Sequence, residues 1–317
     1  MKNKKYPTHR YRIRNWPKYT HSLRQRGSLT VWCDPATVQH WIAAPTGRRG
    51  APQTYSHLAV QCMLTMQAVY RLPLRQTQGL VQSLVALLGV DVPVPCYTTL
   101  SRRRATLAVR WPSRVHPAGE PLHLVIDSTG LKLFGEGEWK VRQHGYTKRR
   151  TWRKVHLGID PTTHEIVVAG ASTNDVHDSE MLPDLLALVS EPLAQCTMDG
   201  AYDRTGCYEA LQARGTGAIV IPPRRDAHIW KHGNRVGTPH PRDANLRRIR
   251  QIGRSAWKRE SGYHQRSLAE TGMFRFKTIF GNTLTARSYD AQATEIFIRA
   301  AALNRMTHLG MPDTVPA

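Results

Sequence analysis

The sequence predicts a mixed α/β domain preceded by an all-helical region. Apolar residues recur at helical spacing over residues 51–112, whereas short apolar runs of strand length follow from residue 118 onward. Pro and Gly residues cluster between these parts, near residues 111–119, and mark a boundary. We therefore expect a basic arm and lead-in over residues 1–50, a helical domain over residues 51–112 and a mixed-sheet domain over residues 118–310.

The helical part is expected to contain helices over residues 55–72, 75–88 and 98–107. Pro73 ends the first apolar run, and a turn rich in Gly and Pro separates the second helix from the third. This order is typical of a helix-turn-helix that reads DNA, which would place Arg102, Arg103 and Arg104 at phosphates. The pattern fits equally well a plain helical subdomain with a solvated arginine cluster.

Strand-length and helix-length runs alternate in the second part. The expected strands cover residues 122–127, 131–134, 154–159, 165–171, 196–199 and 215–221, and the expected helices cover residues 179–190 and 204–214. This order favours a mixed sheet of the ribonuclease-H-like kind. His156 alternates with the core-facing residues of its strand, so we expect a surface histidine, with a substrate contact as the alternative.

The last third of the chain is first basic and then helical. Residues 222–256 combine many arginines with Pro and Gly, and we expect an insertion loop that faces nucleic acid. Helices are expected over residues 257–274 and 291–309, with an extended stretch over residues 276–286 between them.

The charge of the chain predicts a polyanionic partner. Its 317 residues include 45 Lys and Arg but only 23 Asp and Glu, a formal net charge of +22. The first 26 residues mix basic and aromatic side chains, which favours an arm that tracks phosphates over a disordered solubilising tail. They lack the apolar core of a signal peptide, and no later run approaches the ~18 apolar residues of a membrane span. Five cysteines without a Cys-x-x-Cys pair indicate neither disulfides nor zinc, so we expect a cytoplasmic, nucleoid-associated protein.

Two aspartates come at the ends of predicted strands, Asp127 after the first core strand and Asp199 after a later one. Ligands of open α/β sheets bind at such ends, where neighbouring acids would face each other. Two close carboxylates need a proton or a cation between them, and Mg²⁺ or Mn²⁺ suits oxygen ligands. Asp203 is the alternative second aspartate, although its position just before a predicted helix favours a cap.

A third acid belongs to a four-residue pattern near residue 270. Tyr263, Arg266, Glu270 and Lys277 are separated by 3, 4 and 7 residues. At about 100° per residue they share one narrow stripe of a helix, provided that the helix continues through Gly272. An acid among three phosphate-binding groups suits a metal-bound phosphodiester. The alternative is a surface stripe with an ordinary i,i+4 ion pair.

The spacing of this stripe resembles the Tyr-Arg-Glu-Lys signature of bacterial insertion-sequence transposases with a DDE active site. Three further segments are similar to the insertion-sequence-five family: Leu124-Val-Ile-Asp-Ser-Thr-Gly130, Trp152-Arg-Lys-Val-His-Leu157 and Met198-Asp-Gly-Ala-Tyr-Asp203. The resemblance covers residues 20–305 and implies that Asp127, Asp199 and Glu270 are catalytic and bind two Mg²⁺ ions, for which Mn²⁺ can substitute. The implied DNA contacts are Tyr263, Arg266, Lys277, Arg153 and Lys154.

The resemblance also implies a reaction and its partners. The helical region and the arm would bind the terminal inverted repeats of double-stranded DNA, and the freed 3′-hydroxyl ends would be joined to target DNA. At least a dimer would pair the two ends, without a nucleotide cofactor. A catalytically silent DNA-binding protein and a ribonuclease-H-like nuclease without strand transfer remain the alternatives.

Overall fold

A mixed sheet lies at the centre of the computed structural model, which describes residues 11–316 apart from positions 46, 48, 51, 113–115, 118, 135–151 and 231–238. The strands are β1 Tyr11–Ile13, β2 Leu122–Leu133, β3 Trp152–Ile159, β4 Ile166–Thr173, β5 Leu193–Thr197, β6 Ala218–Val220, β7 Thr283–Leu284 and β8 Thr314–Pro316. Within these described ranges, six strands form the main sheet in the order β4-β3-β2-β5-β6, with β7 beside the far end of β2. The pairs β2–β3 and β3–β4 are antiparallel, whereas β5, β6 and β7 join in parallel.

The helices cover both faces of this sheet. They are α1 Trp16–Gln25, α2 Leu29–Trp32, α3 Pro35–Gln39, α4 His57–Tyr70, α5 Leu74–Leu87, α6 Tyr97–Arg104, α7 Leu182–Ala187, α8 Thr205–Ala213, α9 Pro241–Ile252, α10 Arg254–Glu260, α11 Ser267–Phe280 and α12 Tyr289–Leu309. The three helices expected in the N-terminal part are confirmed as α4, α5 and α6. None of the described helices combines the length and the apolar character that crossing a membrane requires.

Strand β2 alternates between the two faces of the sheet. Leu124 and Ile126 pack with α7 and α8, whereas Val125 and Leu131 pack with α4, α11 and α12. Because both faces are covered, His156 of β3 is fully buried, and the expectation of a surface histidine is wrong. Burial lowers the pKa of His156 to about 4.

The helical region shares its core with the sheet domain. Met63 and Met66 of α4 belong to the same apolar cluster as Ile296 and Leu303 of α12. Both α4 and α6 contact α12 directly. Any movement of this region against the sheet would therefore have to open a common core.

A buried ion cluster fastens α6 to α12. Glu295 pairs with Arg299 one turn later and with Arg104 of α6, and all three side chains are less than a tenth exposed. Arg104 also donates to Gln67 of α4. The expectation that Arg104 contacts phosphate is corrected here, because burial and these partners commit its guanidinium to the core.

Two basic segments that the sequence predicted as an arm and as an insertion loop contain regular secondary structure. Residues 11–13 pair with the C-terminal strand β8, and α1 packs on α12, so this part of the predicted arm is not free. In the expected insertion loop, residues 241–252 form α9, which packs on β6. Positions 1–10, which belong to the predicted arm, lie outside the described residues.

The boundaries of three other elements differ from expectation. The two strands expected before residue 134 are one twelve-residue strand, since β3 pairs along it from Val125 to Lys132. The helix expected over residues 179–190 begins as a 3₁₀ turn at Asp178–Met181 and continues as α7. Helix α11 reaches Phe280, so the first part of the expected extended stretch is helical.

We expect Glu295→Ala to lower the free energy of unfolding by about 3–5 kcal/mol, because it leaves two buried guanidinium groups without their carboxylate. Glu260→Ala is the matched control. It removes the acid of the exposed Arg248–Glu260 pair and should leave stability nearly unchanged. Urea unfolding of both variants measures the difference, and equal losses would contradict the structural role given to Glu295.

Candidate active site

The end of β5 leaves one side of β2 open. The parallel pairing of β2 with β5 stops at Val125, which lies opposite Thr197, and β7 joins only at Lys132. Asp127 lies two residues beyond Val125, and Asp199 lies two residues beyond Thr197. At a strand spacing of ~4.8 Å, the register places the two aspartates side by side at this opening.

The residues of the predicted stripe lie on two consecutive elements. Tyr263 and Arg266 belong to a 3₁₀ turn, and Glu270 and Lys277 belong to α11. The single helix expected over residues 257–274 is broken before this turn at Gly262, whose φ of +68° lies in the left-handed region that favours glycine. The stripe thus begins with a sharp change of chain direction.

Helix α11 continues through Gly272 because the absence of a side chain there allows close packing on β3. A Cβ at this position would lie 2.3 Å from Cδ1 of Ile159. Lys277 is consequently brought against β2, where its Nζ donates to Oγ1 of Thr129 at 2.5 Å. Thr129 and Asp127 share one face of β2, so Lys277 and the first aspartate face the same opening.

Arg266 connects the strand and the helix electrostatically. Its guanidinium donates to Oδ2 of Asp127 at 3.3 Å and to Oε1 of Glu270 at 2.6 Å. Burial alone would lower the pKa of Arg266, but Tyr263 and the nearby carboxylates outweigh it and raise that pKa. The pKa of Asp127 is raised, first by burial and also by the negative charge of Asp199. Burial and the nearby Asp199 thus outweigh the stabilising effect of Arg266 on the charged form of Asp127.

The donor chemistry of this group fits a hard divalent cation. Asp127, Asp199 and Glu270 offer only carboxylate oxygens, the ligands that Mg²⁺ prefers. In the described part of the chain, however, no three His, Cys, Asp or Glu side chains are gathered closely enough to hold one ion. Arg266 lies between Asp127 and Glu270 and supplies the compensating charge instead.

The two candidate second aspartates have different surroundings. Asp199 caps a 3₁₀ turn at Gly200–Tyr202 by accepting from the backbone N of Ala201 at 2.9 Å. Asp203 is 2% exposed in its side chain and forms a two-point ion pair with Arg242 of α9. The expected helix cap by Asp203 is therefore wrong, and its carboxylate is instead committed to fastening α9.

The arginines of α6 differ in their availability. Arg102 is exposed, whereas Arg103 donates to the backbone oxygen of Tyr55 at 3.0 Å. Burial lowers the pKa of Arg103. Of the three arginines proposed to contact DNA, Arg102 is thus the one whose side chain is directed to solvent.

Residues on β3 that were expected to contact DNA have partners within the chain. Arg153 donates to Oε1 of Gln292 at 2.8 Å and lies over the ring of Tyr289. Lys154 pairs with Asp178 at 3.0 Å. These contacts engage both basic side chains within the chain, Arg153 with α12 and Lys154 with the turn that begins at Asp178.

Asp178 was missed because its sequence context, just before a predicted helix, favours a cap. In the structure its Oδ2 accepts from Oγ of Ser128 at 2.7 Å, one residue after Asp127. Tyr202 ends the 3₁₀ turn that Asp199 caps, and its pKa is raised well above the usual value by burial and by the charges of Asp178, Asp199 and Asp127. No local signal in the sequence joins Asp178 to the aspartate pair, whereas Tyr202 lies with Asp199 in the segment Met198–Asp203 that carries part of the family resemblance.

A groove of about 420 Å³ lies beside Glu270. Its lining is Ser255, Lys258, Arg259, Tyr263, His264, Arg266, Ser267 and Glu270. Lys258 lies over the ring of Tyr263, so the lining of the groove carries positive charge together with the Glu270 carboxylate. A phosphate-rich strand is the kind of ligand that such a wall attracts.

The mixed sheet, with aspartates beside its central strand and an acid on a covering helix, is consistent with the ribonuclease-H-like class of DDE domains. Two family models with the description "Transposase DDE domain" match the chain, one over residues 24–136 and one over residues 118–305. Because the second match covers more than half of the 317 residues, the chain belongs to the DDE transposase family. Its class is therefore that of transposases, which act in DNA transposition and recombination, and the family normally uses divalent metal ions.

Asparagine substitutions should distinguish Asp203, which stabilises the fold, from Asp199 at the opening. We expect Asp203→Asn to lower the free energy of unfolding by about 3 kcal/mol, because Arg242 would be buried without its partner. Asp199→Asn should leave stability within about 1 kcal/mol of the unmodified chain, since asparagine also caps a helical turn. Denaturant unfolding without divalent ions tests this, and a larger loss in Asp199→Asn would argue that Asp199 is structural.

Proposed function

We propose that this chain is a transposase of the insertion-sequence-five group, which cuts the ends of its element and joins them to target DNA. The observation that carries the proposal is that one guanidinium, Arg266, contacts both Asp127 and Glu270 and also interacts electrostatically with Asp199. The motifs around these residues, including the Tyr-Arg-Glu-Lys spacing, support the assignment to this group.

Asp127, Asp199 and Glu270 would hold two Mg²⁺ ions, or Mn²⁺ in their place. When bound, such ions activate water and stabilise the entering and leaving oxygens of the phosphodiester. The Glu270 side chain is 56% exposed, so it has room to change rotamer toward the aspartates. Its release from Arg266 would free that guanidinium for a non-bridging phosphate oxygen.

The remaining polar groups would position the DNA strand. Tyr263 and Lys258 line the groove beside Glu270, and Lys277 faces the other side of the opening through its contact with Thr129. Such groups hold phosphates on both sides of the scissile bond. Exchange of one phosphodiester for another needs no nucleotide cofactor, so the same groups would serve strand transfer with the freed 3′-hydroxyl.

Recognition of the terminal inverted repeats is assigned to the helical region over residues 51–112 and to the basic residues before it. The net charge of +22 supports binding to double-stranded DNA. Exposed Arg102 on α6 is the side chain that supports a contact by this region. Because two ends of an element must be paired, we propose that the active complex contains at least two copies of the chain.

The experiment that tests the proposal is cleavage of a supercoiled plasmid that carries the element's own ends, in the presence of Mg²⁺. The wild-type chain should produce nicks ending in 3′-hydroxyl at the inverted repeats and then joined products. Glu270→Gln should reduce end cleavage by at least about a hundred-fold, since it removes a carboxylate ligand. Glu260→Gln, on the exposed surface of neighbouring α10, is the control and should cleave normally.

The outcomes distinguish the alternatives. End binding without cleavage by any variant would support a silent DNA-binding protein. Cleavage that depends on Glu270 but gives no joined molecules would support a nuclease without strand transfer.

A second experiment tests the role of α6. We expect Arg102→Ala to weaken binding to end DNA and to reduce the slope of log affinity against log salt concentration by about 1, as expected for one lost phosphate contact. Fluorescence anisotropy at several salt concentrations measures both quantities. An unchanged slope would place the DNA contact elsewhere on the chain.

A further inference from the structure

The hydroxyl of Tyr202 is buried close to the aspartates and has no hydrogen-bond partner. The residue is 1% exposed, and its Oη is among the buried polar atoms left without a partner in the described part of the chain. Buried hydroxyl groups are nearly always hydrogen-bonded, so an orphan of this kind requires an explanation. Two common explanations are a catalytic role and a group that is satisfied only when a ligand is bound.

The position of Tyr202 associates it with the candidate active site. It ends the 3₁₀ turn that Asp199 caps, and this turn contacts the Asp178–Met181 turn. Asp178 in turn accepts from Ser128, the neighbour of Asp127 on β2. The Tyr202 ring belongs to the apolar cluster on the α7 and α8 side of the sheet, which fixes the position of the phenol.

The hydrogen bonds already made by the aspartates leave little choice of acceptor. Both oxygens of Asp127 are engaged, by the backbone N of Ser128 and by Arg266. Asp178 accepts from Ser128 through Oδ2, and its Oδ1 makes no hydrogen bond among the described residues but is paired with the ammonium group of Lys154 at 3.0 Å. Asp199 accepts from Ala201 through Oδ1, and its second oxygen makes neither an ion pair nor a hydrogen bond within the described part of the chain. We therefore take this oxygen, rather than the Lys154-paired Oδ1 of Asp178, as the acceptor.

We propose that Tyr202 is a positioning residue of the metal site, whose hydroxyl donates to the carboxylate of Asp199 when a divalent cation is bound. This inference rests on the proposed function, because it assumes that the aspartates hold a cation. Tyr202 lies too deep to touch DNA, so it acts through the aspartate. Partners of this kind fix the orientation of a ligating carboxylate and raise its affinity for the metal.

Because the Tyr202 hydroxyl makes no hydrogen bond among the described residues, it does not stabilise the chain in the absence of metal. Its removal should therefore change metal binding without lowering stability. Tyr202→Phe removes only the oxygen and keeps the ring in its cluster. The matched control is Tyr208→Phe on α8, which also removes a buried phenol. Tyr208 donates to Oδ1 of Asp203 at 3.3 Å, away from the aspartate pair.

The experiment is titration of the full chain with Mn²⁺ alone, followed by electron paramagnetic resonance, together with denaturant unfolding in the absence of metal. Tyr202→Phe should weaken Mn²⁺ binding by about ten-fold, with its unfolding midpoint unchanged or raised. Tyr208→Phe should bind Mn²⁺ like the wild type and unfold more easily. In plasmid nicking, Tyr202→Phe should need a higher Mg²⁺ concentration for half-maximal rate but reach the wild-type rate at saturation.

Three results would overturn the inference. Wild-type Mn²⁺ affinity in Tyr202→Phe would show that the hydroxyl does not serve the site, while leaving the proposed function intact. A lowered unfolding midpoint in Tyr202→Phe would assign the hydroxyl to the fold. If the wild-type chain and Asp199→Asn were equally unable to bind Mn²⁺, the metal site itself, and with it the proposed function, would fail.

Discussion

The balance of charge around Arg266 is the constraint on which the candidate active site depends. Its guanidinium contacts Asp127 and Glu270, and the negative charge of Asp199 contributes to its raised pKa. The pKa of Asp127 is raised by burial and by the charge of Asp199, even though Arg266 and the backbone of Ser128 act in the opposite direction. The fold brings these carboxylates together because Asp127 lies on β2, Asp199 caps the turn that follows β5, and Glu270 lies on α11, which packs on β2 and β3.

Acidic side chains elsewhere in the chain are paired in a different way. Asp203 has its own arginine, and Glu295 has two, and these acids and their partner arginines are almost fully buried. Such pairs fix one arrangement of the elements they join, since loss of either partner leaves an unpaired buried charge. At the opening, by contrast, Asp127 and Glu270 share one partly exposed arginine, Arg266. Pairing therefore separates acids that build the fold from acids that are available for chemistry.

The sequence was most informative where short-range geometry decides the structure. The 3.6-residue period predicted α4 and α5, strand alternation predicted β3 and β4, and residue spacing alone placed Glu270 and Lys277 on one side of α11. It was least informative where a residue far away in the sequence determines the surroundings of a side chain. Arg104 resembles its exposed neighbour Arg102 in the sequence, and only Glu295 on α12 makes it a core residue. The helix α9 was hidden because its arginines suggest a solvated loop, whereas Arg242 is neutralised by Asp203, which lies 39 positions earlier.

The opening beside β2 is built from the sheet rather than from a loop, and this has a physical reason. An uninterrupted sheet would pair β5 along the whole of β2 and leave no access to Asp127, while a flexible loop could not hold two repelling carboxylates in register. Ending β5 at Thr197 and following it with the 3₁₀ turn after Asp199 keeps the second aspartate on rigid backbone but outside the ladder. The turn also contains Tyr202, whose buried hydroxyl makes no hydrogen bond in the described part of the chain. The ion clusters elsewhere in the chain are well paired, whereas this buried hydroxyl has no hydrogen bond within the described residues. Such a local deficiency is expected of a site that is completed only when it binds its ligands.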